Sequence, residues 1–159
     1  MKIAYLCQFS HPSICGVWNR VYNLAREMIK KGHEVHVFSS NIIKGTNKMS
    51  TNHELLEGIH IHRFPVIFNL GENGNVWNFK KGLMKLKPDV IDAQVYRHNH
   101  SNMTPYVAEK IKAKAVLTTH SPFHVTRNPI LSIATFCYDF FAGKDILKKY
   151  NKIITITHW

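Results

Sequence analysis

Apolar and polar positions follow two different periods along this chain. Residues 2–9, KIAYLCQF, form a short apolar run bounded by polar and turn residues, as expected of a strand covered on both faces of a parallel sheet. From Val17 the period lengthens. Val17, Val21, Leu24, Ala25, Met28 and Ile29 recur at helical spacing while Arg20, Arg26, Lys30 and Lys31 take the other face. Gly32 stands where a left-handed residue closes a helix, and the lysines before it lie where the helix dipole favours cations. EVHVFSS then reads as a second strand, the polar stretch 41–57 as an exposed connection, and IHIHRF, 59–64, as a third strand.

After a loop containing glycine and asparagine, VWNFKKGLMKLK at 76–87 predicts a modest helix ended by Pro88, and DVIDAQ at 89–94 a fourth strand. Residues 102–112 predict a helix, AVLTTH at 115–120 a fifth strand, 129–149 a long helix interrupted near Gly143, and KIITIT at 152–157 a sixth strand. Strands alternating with helices imply an α/β fold with a doubly wound parallel, Rossmann-like sheet and right-handed crossovers. Such sheets bind ligands at the carboxyl ends of their strands. That rule singles out residues 10–16, 40–45, 95–101, 120–128 and 157 onward.

Length and composition narrow the picture. The chain has 159 residues, the size of one domain, and is 45% hydrophobic and 19% charged, as a globular protein is. No apolar run is long enough to span a bilayer, and no small-residue cleavage site follows the N-terminal apolar run, so a cytoplasmic location is expected. Cys7, Cys15 and Cys137 fall in no metal-binding spacing and read as reduced, mostly packing thiols. The formal net charge of +11 favours anionic partners, whether nucleic acid, acidic lipid or phosphate-bearing small molecules, without choosing among them.

Candidate chemistry lies in the loops. In SHPSICGVWNR, 10–20, Gly16 sits at the first strand-to-helix join, where it serves either as a hinge or as a close approach for an anion at the helix N-terminus. GxGxxG and GxxxxGK[ST] are both missing, and the second strand ends FSSN without a ribose-binding acid, which argues against dehydrogenase and ATPase chemistry. The eleven histidines lack the carboxylate or cysteine spacing of metal sites, so no metal is expected, and His33, His36, His60 and His62 read as ordinary strand-region residues. His120, in TTHSPFH, falls at the end of the fifth strand, where a neutral imidazole either bonds a sugar hydroxyl or caps the strand. His124 follows it by four. YRHNHSN, 96–102, is either a polar loop or a site in which Arg97 grips a phosphate or carboxylate through two parallel bonds. ATFCYDFFAGKDILKKYNK, apolar then basic, reads first as a helix packed on the sheet and second as a segment lying on an anionic membrane.

The first forty residues, with KPDVIDAQ and VLTTHSPFH later, closely resemble the N-terminal domain of GT-B glycosyltransferases of family four. The shared pattern is a strand, a glycine-rich loop, a helix containing Leu-Ala, then Arg/Lys-Gly-His-x-Val-x-Val. The resemblance implies transfer of a sugar from a nucleotide-sugar donor to a glycan, lipid or small-molecule acceptor, with retention and without a metal or other cofactor. It also implies that Cys15 and Gly16 face the donor diphosphate and acceptor, and that His120 lies near the transferred sugar as the catalytic candidate. Asp92, Gln94, Tyr96, Arg97 and His98 would be on the acceptor side. Cys15 replaces the first glycine of the family loop, and Asp92 and Gln94 stand where histidines are often found. Residues 1–159 correspond to the acceptor-side domain, the nucleotide-sugar domain being expected beyond them, so these residues alone should show little or no turnover. Peripheral contact with an anionic membrane at its inner face is compatible with this reading; a specific nucleic-acid partner is not expected. The rival readings are another GT-B enzyme, such as a nucleotide-sugar epimerase, or a non-catalytic domain binding anionic ligands.

Overall fold

A computed structural model describes residues 1–69, 74–120 and 129–156. In chain order these form β1 (Lys2–Leu6), α1 (Gly16–Lys30), β2 (Glu34–Ser40), β3 (His53–Leu56), β4 (Ile59–Phe64), β5 (Val66–Asn69), β6 (Asn75–Trp77), α2 (Lys80–Leu86), β7 (Val90–Gln94), α3 (Asn99–Ile111), β8 (Lys114–Thr119), α4 (Pro129–Tyr138), a π-helical turn (Asp139–Gly143), α5 (Lys144–Lys148) and β9 (Lys152–Thr155). The main sheet runs β3-β4-β2-β1-β7-β8-β9, parallel throughout except for β3 at its edge. This is the doubly wound, Rossmann-like α/β architecture that the alternating pattern predicts. Strand order reverses between β1 and β7, and a crevice opens there because the chain leaves the two strands toward opposite faces.

The two faces have separate cores. Ile3, Tyr5, Val35, Val37, Ile59 and Ile61 pack beneath Trp18, Val21 and Ala25 of α1. Ala4, Leu6, Phe38, Ile91, Ala93 and Leu117 pack against Trp77, Phe79, Leu83, Val107, Ala108 and Tyr150. The alternation along β7 therefore sends Asp92 and Gln94 to the α1 side. Helix α1 ends as its pattern predicts. Gly32 takes φ +79°, its amide bonds Ile29 O at 2.8 Å, and the His33 amide bonds Met28 O at 3.1 Å, closing a Schellman motif.

Four expectations change. The stretch 41–57 is not wholly a loop, since β3 within it pairs antiparallel with β4. The helix expected from residue 76 begins at Lys80, because Asn75–Trp77 pairs with β5 and Trp77 is drawn into the core. The segment expected to pack on the sheet does so only in its second half, where Ile146, Leu147 and Tyr150 join the core, while its first half exposes Phe136, Phe140 and Phe141 at 70%, 67% and 75%. Cys137, read as a packing thiol, is exposed as well, whereas Cys7 is buried; among the described residues no disulfide forms. No helix among the described residues is long and apolar enough to cross a membrane.

Candidate functional site

A cleft of about 480 Å³ opens at the reversal of strand order, lined by Gln8, Phe9, Cys15, Gly16, Val17, Arg20, Lys44, Val95, His98, His120 and Ile156. Four of the loops singled out from the sequence contribute to it, through Cys15 and Gly16, Lys44, Val95 and His98, and His120. The segments 121–128, with His124, and 157–159 lie outside the described residues.

The opening loop is held from behind by a buried arginine. Arg63 of β4, its side chain 1% exposed, donates from Nε to Ser10 Oγ at 3.1 Å and from Nη1 to Thr51 O at 3.0 Å. Its Nη2 bonds both His11 O and the Glu54 carboxylate. Ser10 Oγ also bonds Ser39 Oγ at 2.7 Å, and Ser13 Oγ accepts the Lys44 amide at 3.0 Å, which ties the 40–45 loop to the same wall. The loop thereby delivers Cys15 as the N-cap of α1, its Sγ accepting the Trp18 amide at 3.4 Å. Gly16 is the first helical residue. It does not have a positive φ, and a Cβ added there would meet nothing within 4 Å. Neither turn geometry nor packing requires glycine, so what its missing side chain leaves is open space in front of the unpaired first amides of α1.

Behind the cleft one oxygen, that of Gln94, orients two lining side chains, Arg20 and His120. Gln94, fully buried, accepts at Oε1 from Arg20 Nη1 at 3.2 Å and from His120 Nε2 at 3.0 Å. A guanidinium can only donate, so this atom of Gln94 is the oxygen and His120 Nε2 carries the ring hydrogen, leaving Nδ1 as an acceptor. Burial, then the nearby Arg20 charge, lowers the His120 pKa from its ordinary value and keeps the ring neutral. Gln94 Nε2 makes no hydrogen bond of ordinary geometry, yet the amide lies close enough to Asp92 to lower that carboxyl somewhat. Asp92 itself does not line the cleft. It is buried beneath, accepts Thr118 Oγ1 at 2.9 Å, and burial pushes its pKa up to about 6.

The loop after β7 divides its residues between two cavities. Val95 and His98 line the cleft, while Tyr96 and Arg97 turn to a neighbouring hollow and bind Asp139 of the π-helical turn. Tyr96 Oη donates to Asp139 Oδ1 at 3.0 Å, and Arg97 holds both carboxylate oxygens, Nε to Oδ1 at 2.9 Å and Nη2 to Oδ2. Of the two readings of this loop, a polar loop or a fork for a ligand anion, the fork forms but is engaged by a carboxylate of the chain itself. Val95 and Arg97 have φ of +71° and +68°, a conformation costly for a β-branched residue and of the kind found at ligand sites. His98 is the N-cap of α3, its amide bonded to Ser101 Oγ at 3.1 Å.

Arg20 and Lys44 were not singled out from the sequence. Arg20 reads as one of α1's solvent-facing cations, but it is four residues after Gly16 and so stands on the same side of the helix, a spacing that could have revealed it. Arg63 gives no local signal, because its partners are distant along the chain. Among the described residues no group of three or more His, Cys, Asp or Glu is placed to hold a metal ion.

The model of glycosyltransferase family 4 matches residues 14–159, nearly the whole chain, beginning one residue before the Cys15 cap. The chain belongs to glycosyltransferase family 4. No curated protein sequence matches it. Family membership gives this glycosyltransferase domain a transferase-type function.

Proposed function

We propose that this family 4 domain is the acceptor-side part of a retaining glycosyltransferase, which moves a sugar from a nucleotide-sugar donor onto a hydroxyl held in the cleft. The observation that carries this reading is the pairing, across one cleft, of an open anion-attracting helix start at Gly16 with a neutral, oriented His120. As the donor's glycosidic bond breaks, negative charge grows on the departing diphosphate. Preorganised amides at Gly16 and Val17, with Arg20 and Lys44 on the lining, stabilise that charge. His120, its Nε2 hydrogen committed to Gln94, accepts from a sugar or acceptor hydroxyl at Nδ1 and so fixes the approach of the reacting groups. Cys15 and His98 bound the space for the two substrates, and Tyr96 with Arg97 supports the acceptor-side loop from behind through Asp139. A second, nucleotide-binding domain supplies the remaining donor contacts, and no metal or other cofactor is required. The described lining contains no carboxylate. That favours transfer over epimerisation, which needs acidic and basic groups converging on the sugar.

The test is turnover of the full-length protein on a panel of nucleotide sugars with candidate acceptors, following nucleoside diphosphate release and the anomeric configuration of the product. Retained configuration is expected, and His120→Ala should lower kcat by about 10–100-fold with unchanged folding. Inverted product, normal turnover by the His120 variant, or no binding of any nucleotide sugar overturns the reading.

A further inference from the structure

Histidines gather at the β3 edge of the sheet, on the face away from α1. The register sets His36 of β2 beside His60 of β4 and His53 of β3 opposite His62 of β4, so all four project from one face. Their rings adjoin: His60 stacks on His36 at 4.9 Å between centroids, His36 on His62 at 5.2 Å, and His53 meets His62 edge-on at 5.3 Å. Hydrogen bonds join three of them into a directed chain. His36 Nε2 bonds Glu34 Oε1 at 2.7 Å, His36 Nδ1 faces His62 Nε2 at 2.9 Å, and His62 Nδ1 faces His53 Nδ1 at 3.2 Å. The Glu34 carboxylate, whose pKa the His36 bond lowers, only accepts, so His36 donates from Nε2 and, while neutral, accepts at Nδ1 from the Nε2 hydrogen of His62. His62 in turn accepts at Nδ1 from His53. Three neutral rings thus supply three hydrogens to three links, and the nitrogen left over is Nε2 of the exposed His53.

One extra proton fits on that free nitrogen without breaking a link. The next must enter a link already filled, where two N–H groups then face each other and a second positive charge joins the adjoining rings. Lys2 of β1, 3.6 Å from Glu34, and His60, stacked on His36, oppose further positive charge, and Phe38 lays an apolar ring against His62 at 4.9 Å. Little else holds β3. It is a four-residue edge strand with alternate positions exposed, joined to β4 by the turn Glu57-Gly58, both residues at positive φ. We propose that the imidazole chain from β3 to β2 is an acid-sensitive latch, closed while it carries no more than one extra proton and opened by the next, which frees β3 from β4. Burial, then the neighbouring histidines, lowers the pKa of His62 to about 4, and burial lowers that of His36 despite Glu34. The latch is therefore closed above the ordinary 6.5 of these rings and opens as pH falls toward the lowered values. On the other face of β3, Glu54 bonds Arg63 and lies 2.8 Å from His11 Nδ1. A proton on His11 strengthens that pair, so acid loosens β3 from its histidine face only. As β3 swings out, Glu54 either leaves Arg63 or draws His11 along with it, and in both cases the opening loop that presents Cys15 and Gly16 shifts. The latch thereby regulates the cleft, and its existence does not depend on what the cleft transfers.

Hydrogen exchange of the full-length protein, with rates corrected for the intrinsic effect of pH, tests the latch. As pH is lowered from about 7.5 to about 4.5, the amides of β3 should lose protection by roughly tenfold or more, and before those of β1 and β7 do. His62→Phe keeps a ring between Phe38 and His36 but takes no proton, and should flatten that pH dependence. Nitrogen NMR of the histidine rings in the unmodified protein gives a readout independent of any variant's folding. At a pH of about 7.5 it should find the hydrogen on Nε2 of His36 and His62 and on Nδ1 of His53. Protection of β3 that does not change with pH, loss at one pH across the whole sheet, an undiminished pH dependence in the His62 variant, or a neutral His53 with its hydrogen on Nε2 overturns the proposal.

Discussion

At Gly16 the physical question is whether glycine serves the backbone or a ligand. Alanine at an early helical position ordinarily leaves stability equal or raises it by up to about 1 kcal/mol, and the space around Gly16 is open. Gly16→Ala should therefore keep or raise the melting temperature while lowering kcat/KM by about tenfold or more; a loss of both would return the residue to the role of hinge. Asp92 poses a question of sign. Its folded pKa of about 6 lies above its ordinary 3.8, so the stability it contributes is fully present below 3.8 and is lost as pH rises through 6. Asp92→Asn keeps an acceptor for Thr118 and removes the buried charge. It should stabilise the protein at pH 7–8 by about 1–2 kcal/mol and flatten the urea midpoint between pH 4 and 6. The sequence marked Gly16 and Asp92 as residues of interest, but the open space around one and the burial of the other depend on neighbours far along the chain.

Among the elements, the interruption near Gly143 was legible and its cause was not. The helix passes through a π-helical turn there because Asp139 must reach Tyr96 and Arg97, and Tyr96 Oη lies 2.1 Å from where a Gly143 Cβ would be. Glycine-to-alanine changes inside helices usually stabilise. Gly143→Ala should instead destabilise by roughly 1–3 kcal/mol, since a rigid phenol rather than a flexible chain end must give way; denaturant midpoints of the two proteins decide the sign. The strand at 53–56 escaped notice for a different reason. It is a short edge strand of alternately exposed positions within a polar stretch, and only its pairing with β4 makes it a strand.

For the whole molecule, the histidines govern acid behaviour. Burial lowers His36, His62 to about 4, His100 to about 3, and His120. Below their ordinary 6.5 the unfolded chain takes up protons that the fold resists, so this stability is present above 6.5 and lost as pH falls through the lowered values. Asp92 works in the opposite direction but is one group against four. Unfolding free energy should accordingly drop by about 2–4 kcal/mol between pH 7 and pH 5, measured by urea titration; a flat profile would mean that these rings protonate inside the fold. Sequence alone determined the order of the main strands and helices along the chain, the doubly wound class, the family and the loops that could meet a ligand, because periodicity and turn chemistry act over a few residues. Tertiary structure decided which side chains meet: Arg97 with Asp139, Gln94 between Arg20 and His120, Arg63 behind the opening loop, and the phenylalanines of 136–141 with no core to enter. Each of those outcomes depends on distances across the sheet between segments tens of residues apart, which no local pattern of hydrophobic and polar positions encodes.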